Sequence, residues 1–190
     1  MVDEGAKALA VLTADRGDTS ALHDLARRRE TTGNSVDAEA LAVPAADYGN
    51  TETLWFLAWL REQAADADAA EALAVQIVDR GGNPAVFDAL AVMREINGDT
   101  AGAEALFQRG ADRGRTGSLL SLTGLRRRSG DTEGAETVYR QAIDRGNTHA
   151  LQELAELCTD VGNNVGASQL LRFGLTEDGE AASRPARDDR

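Results

Sequence analysis

The sequence predicts an all-α protein, an array of antiparallel helix pairs with about 11 helices. Three observations predict it. A 32-residue unit running from Gly98 to Ser129 (GDTAGAEALFQRGADRGRTGSLLSLTGLRRRS) is followed directly by a second copy of itself from Gly130 to Val161 (GDTEGAETVYRQAIDRGNTHALQELAELCTDV), with thirteen of the 32 positions identical. A fixed period in this range marks stacked supersecondary units. Each unit is divided by an Asp-Arg-Gly into two runs whose apolar residues recur at helical spacing. Finally, the chain is 42% hydrophobic but only 4% aromatic, so its core is built from Ala and Leu.

The unit extends in both directions. Boundaries fall near 33, 65, 98, 130 and 162, and Asp-Arg-Gly recurs at Asp15, Asp79, Asp112 and Asp144, with Asp47-Tyr48-Gly49 as a variant. After each such turn comes a helix, type A, with leucines three residues apart, as in Leu54-Leu57-Leu60 and Leu151-Leu154-Leu157. After the next glycine, an Asp, Asn or Thr caps a second helix, type B, whose first-turn Glu suits the positive end of the helix dipole. Arg80, Arg113 and Arg145 suit the opposite end, and the glycine that follows each takes the left-handed capping conformation. Pro84 stands where a helix start tolerates a missing N–H. In order, the pattern predicts B 4–15; A 20–31, B 36–47; A 52–64, B 67–79; A 85–96, B 100–112; A 117–128, B 132–144; A 149–160, B 165–174. The array thus spans 1–174, and the polar, aperiodic stretch 175–190 reads as a disordered tail. Residues 1–15 align with a B helix that has no A helix before it. Either the chain is the C-terminal part of a larger protein, or this helix serves as the cap.

Small residues recur at Ala26, Ala58, Ala91, Thr123 and Ala155 on the A helices. They recur twelve residues later, at Ala38, Ala70, Ala103, Ala135 and Ala167, on the B helices. Two antiparallel helices with small residues at matched points can bring their axes close. With Leu151, Leu154 and Ala155 on one helix and Ala135, Tyr139 and Ala142 on the other, the unit resembles the tetratricopeptide repeat. It departs in length (32–33 residues), in closing on Asp-Arg-Gly instead of Pro, and in placing Arg where the pattern has Tyr, which leaves the subfamily of short α/α repeats open. The resemblance implies a right-handed α-solenoid, a TPR-like superhelix, whose A helices line a concave, ligand-facing groove.

Chemistry is sparse. The net charge of −12 argues against nucleic acid or an anionic membrane as partner. One cysteine, Cys158, allows no internal disulfide, and it lacks neighbours at metal-ligand spacing. His23 and His149 stand four repeats apart, too far to share a metal. No nucleophile, phosphate-loop or zinc-protease motif appears, so no enzyme activity, cofactor or metal is expected. With neither a signal peptide nor a spanning segment in the sequence, the expected location is the cytoplasm. The pattern does not speak to the oligomeric state.

Two sets of residues stand out. Arg29, Arg61, Arg94 and Arg126 lie ten residues before Glu39, Glu71, Glu104 and Glu136, and both positions change together in the last repeat, to Cys158 and Ser168. That spacing predicts an Arg–Glu bridge inside each of four hairpins; the alternative is two independent preferences for those helix positions. The second set is Trp55, Phe56 and Trp59, at positions that the other repeats fill mostly with polar or small groups. Trp55 and Trp59 are one turn apart on one face. They either anchor a ligand or cover the irregular repeat that follows. The expected groove runs from His23 and Arg27 across the Trp pair, past Glu62, Asp88 and Glu95, to Leu120 and Arg127. Such a groove suits a protein or peptide segment carrying one large apolar side chain, and the chain reads as a non-catalytic interaction scaffold. The alternative is a ligand-sensing or regulatory arm of a larger signalling protein.

Overall fold

The computed structural model describes residues 4–175; apart from Leu175, the expected tail lies outside them. Among the described residues there are eleven helices. The B type comprises α1 (Glu4–Ala14), α3 (Ser35–Asp47), α5 (Ala67–Asp79), α7 (Thr100–Asp112), α9 (Thr132–Asp144) and α11 (Asn164–Phe173). The A type comprises α2 (Ser20–Thr31), α4 (Glu52–Gln63), α6 (Ala85–Ile96), α8 (Thr116–Arg128) and α10 (His149–Asp160). Every end lies within one residue of the sequence expectation.

The ends are sharp because the caps are real. Before each B helix from α3 to α11, the side chain of Asn34, Asp66, Asp99, Asp131 or Asn163 accepts the amide hydrogen three residues on, at 2.9–3.3 Å. Such a cap contributes about 1 kcal/mol. The residue just before each cap is in the left-handed region. It is glycine at 33, 98, 130 and 162 but Ala65 in the remaining repeat, at φ 61°. There a Cβ crowds the carbonyl, at a cost of roughly 1 kcal/mol. Pro44 lies inside α3, three residues before its end, and forfeits one helical hydrogen bond without stopping the helix.

The chain divides into two compact units, residues 1–106 and 107–190, with the junction inside α7. In the first, α2 pairs with α3 and α4 with α5 as hairpins, α3 packs on α4, and the A helices α2, α4 and α6 lie side by side. In the second, α8 pairs with α9 and α10 with α11, and α9 packs on α10. Each unit is thus a stack of hairpins, the local order of an all-α solenoid. All ten matched small residues are buried, and Leu41, Leu54, Leu73, Leu106, Leu122 and Leu154 fill the space around them. Each such leucine contributes roughly 1.5–3 kcal/mol. Among the described residues, no helix is long and apolar enough to cross a membrane.

Candidate functional site

Helix α4 carries the expected aromatic face. Its apolar positions Leu54, Leu57 and Ala58 turn into the core, which leaves Thr51, Glu52, Trp55, Phe56 and Trp59 along one stripe. These five residues line a surface concavity of about 240 Å³. Trp55 is 39% exposed, while Phe56 and Trp59 are half-buried. Phe56 is the hub of the cluster. Its ring centroid lies 5.8 Å from that of His23 and 6.4 Å from that of Trp59, and the Arg27 guanidinium carbon sits 5.6 Å from it. The arginine contact is a cation–π pair, worth about 0.5–1 kcal/mol at an exposed site. His23 is fixed in turn by a 3.1 Å hydrogen bond between Nδ1 and the hydroxyl of the buried Thr53. Helix α2 thus holds one side of the cluster in place.

On the other side, α6 places Asp88 and Glu95 in half-buried positions. It also exposes Val92 and Ile96, apolar residues that the sequence reading did not single out. Val92 occupies the repeat position of Trp59, so an apolar residue at an otherwise polar position was the available signal. Leu120 and Arg127 belong to the second unit. Leu120 is half-buried. Arg127 is committed to α10, meeting Asp160 at 3.3 Å and Glu153 at 3.8 Å. A hydrogen bond with Tyr139 outweighs burial and, with Asp160 and Glu153, holds the pKa of Arg127 above its ordinary value. Glu153 also accepts from Tyr139 Oη at 3.3 Å and pairs with His149 at 3.2 Å.

Glu62 does not belong to the groove. It is 5% exposed and accepts two hydrogen bonds from Arg94, from Nε at 3.0 Å and from Nη2 at 3.3 Å. Arg94 also reaches Glu71 at 3.4 Å and the Ala67 carbonyl at 2.9 Å. Burial of Arg94 opposes its charge, but Glu62, Glu71 and Asp99 prevail and raise its pKa. Arg61 repeats the arrangement one hairpin earlier, donating to Glu30 at 3.3 Å, Glu39 at 3.1 Å and the Ser35 carbonyl at 3.1 Å. The expected pairs are therefore corrected. Arg61 binds Glu39 and not Glu71, and Arg94 binds Glu71 and not Glu104, because each arginine reaches back to the preceding repeat. There it meets two carboxylates and a carbonyl, where its own hairpin offers one carboxylate. Glu39 is filled by Arg61 and Gln76, not Arg29. Glu136 pairs with Arg140 at 2.6 Å, not with Arg126, which lies 3.9 Å from Asp131 and donates to the Gly134 carbonyl.

Cys158 fits the same register. It sits at the arginine position of α10 and faces Glu136 of the preceding helix α9. Burial first, and the Glu136 charge second, push its thiol pKa up, with Arg140 partly offsetting them. A raised pKa keeps the thiol protonated, the opposite of what a nucleophile needs. The Asp-Arg-Gly turns form a second ladder of the same sense. Arg80 donates to Asp47 at 3.0 Å, Arg145 lies 3.7 Å from Asp112 and donates to the Ala111 carbonyl, and Tyr48, in the arginine's place, donates to Asp15.

No family model matches the sequence, and no curated protein matches it. Among solved structures the chain resembles pilF of Pseudomonas aeruginosa, with a TM-score of 0.46 and 14% identity over 88% of this chain and 78% of that one. It also resembles the MamA protein, with a TM-score of 0.45 and 16% identity over 87% of this chain and 97% of that one. Similarity at this level leaves the architecture to rest on the repeat pattern and the packing of the hairpins themselves. By those, each of the two units is a stack of antiparallel helix hairpins.

Proposed function

We propose that the chain is a non-catalytic interaction module that docks a protein or peptide segment on the A-helix face of the first unit. A large apolar side chain of the partner sits against Trp55, Phe56 and Trp59. The observation that carries this reading is the aromatic stripe of α4, open to solvent at positions the other repeats fill mostly with polar or small residues. Large aromatics held in place from behind, as His23 and Arg27 hold Phe56, are the common anchors of protein interfaces. Arg27 and His23 on one flank and Asp88 and Glu95 on the other offer charges of both signs to the partner's backbone and neighbouring side chains. The proposal rests on the first unit and does not use Leu120 and Arg127, which belong to the second.

The chain has two tryptophans, and both stand here, so its intrinsic emission reports on this face alone. Tryptophan-free peptides selected from a display library on the whole chain are titrated while emission and iodide quenching are followed. The expected result is a saturable emission shift with quenching reduced. Tight binders that leave both signals unaltered would place the binding surface elsewhere.

A further inference from the structure

The stripe that carries Trp55 and Trp59 does not end with them. One turn further along α4 stands Gln63, and the matching positions on the neighbouring helix α6 are Asp88, Val92 and Ile96. Gln63, Met93, Ile96 and Asn97 line a second concavity, of about 370 Å³, between the ends of the two helices. Val92 and Ile96 are exposed, so apolar surface continues from the tryptophans onto α6 and makes one furrow of the two concavities.

Two features say what this furrow receives. The first is charge. The bases of α4 and α6, Arg61 and Arg94, are buried against carboxylates. The acids remain: Glu52 lines the first concavity, Asp88 heads the α6 stripe and Glu95 precedes Ile96. The first unit, 1–106, carries 19 Asp and Glu against 8 Lys and Arg, whereas 107–190 carries 13 against 12. A basic partner complements such a surface and an acidic one is repelled. The second feature is the pair of side-chain amides, Gln63 and Asn97. Each offers donors and an acceptor, and among the described residues neither amide makes a hydrogen bond. An extended chain has backbone N–H and C=O groups that need such partners, whereas a helix satisfies its own.

The spacing is set by α4. Trp55 in the first concavity and Gln63 in the second are eight residues apart, about 12 Å along the helix. In an extended chain rising about 3.3 Å per residue, side chains four residues apart share a face and stand about 13 Å apart. Building on the proposed docking at the α4 face, we propose that the α4–α6 furrow takes an extended, basic segment of a partner protein. Two apolar side chains four residues apart fill it, one against Trp55 and Trp59 and the other against Met93 and Ile96, with Lys or Arg between them. A second copy offers no such segment, because its bases at 27–29, 126–128 and 172 are folded into α2, α8 and α11. Residues 176–190 hold three arginines but no large apolar side chain.

The probe is a fluorescein-labelled peptide, Lys-Phe-Lys-Thr-Lys-Leu-Lys, whose anisotropy is followed on titration with the whole chain. Saturable binding is expected. It should weaken roughly tenfold with Ile96→Ser or Trp59→Ala. Exchanging the lysines for glutamine, raising salt to about 0.5 M, or moving the leucine to two or seven residues from the phenylalanine should each weaken it severalfold. Ile96 is 78% exposed, and an unaltered melting curve checks that its variant folds. Four results would overturn the inference: no saturation up to millimolar chain, binding indifferent to Ile96→Ser or to the leucine's spacing, equal binding of the glutamine peptide, or Ile96-dependent self-association without peptide. If display-selected peptides still respond through the tryptophans in those cases, docking at the α4 face stands without it. If Trp55→Ala and Trp59→Ala alter no peptide's affinity, both fall.

Discussion

Helices α4 and α10 are the same element of the repeat, one in each unit, and they differ at every position that faces outward. Where α4 has Trp55, Phe56 and Trp59, α10 has Gln152, Glu153 and Glu156. Where α4 has Arg61, bound to two carboxylates, α10 has Cys158, and Glu136 turns instead to Arg140 four residues along its own helix. The inward positions do not differ in kind. Leu57 and Ala58 in α4, and their equivalents Leu154 and Ala155 in α10, are buried alike. The hairpin is thus specified by a few small and leucine positions, and the remaining surface is free to diverge. In α4 that surface became apolar and open; in α10 it became a network of charges satisfied within the unit.

The comparison breaks first at the buried seam of the first unit. Arg94→Ala should be the most destabilising substitution, at about 3–5 kcal/mol, because it leaves Glu62 buried without its counter-ion. A thermal or urea melt with a loss below 1 kcal/mol would mean that water replaces the guanidinium at little cost. Glu71→Ala and Glu136→Ala test the same repeat position on both sides of the comparison. The first removes a partner of the buried Arg94 and should cost about 1–2 kcal/mol. The second removes an i,i+4 surface pair and should cost no more than about 0.5 kcal/mol. Equal losses would show that the seam and the surface pair are energetically alike.

The fold was legible because its signals are local. Asn34, Asp66, Asp99, Asp131 and Asn163 cap their helices through contacts three residues away, so helix ends could be placed to within one residue. The ion pairs were legible only up to one repeat. In a periodic sequence Arg61 with Glu71 and Arg61 with Glu39 leave the same pattern, and only the ends of the array distinguish them. The joint change to Cys158 and Ser168 suggested the wrong register. The true register leaves no covariation at either end, with Lys7 at the position facing Arg29 and Glu136 at the position facing Cys158. Glu62 was misplaced because nothing in a single helix shows that the next repeat's arginine closes over it. The Trp face could be read because it interrupts the repeat, but its support from His23 and Thr53 depends on neighbouring α2, which the pattern does not orient.

A smaller effect sharpens the contrast within the first unit. Ala65→Gly should stabilise by about 1 kcal/mol, since its left-handed backbone is held by glycine in the other repeats. That is a rise of roughly 2–4 °C in melting temperature. No rise, or a fall, would mean that the alanine's packing outweighs its backbone strain.

The central claim, that the α4 face is built for a partner and not for the fold, is tested most directly by Trp55→Ala and Trp59→Ala, with stability and binding measured on the same samples. The account predicts stability within about 0.5 kcal/mol of the parent for Trp55→Ala and a loss of affinity of roughly 30-fold for either variant toward a selected peptide. A large fall in melting temperature with affinity unchanged would assign the tryptophans to packing and contradict it.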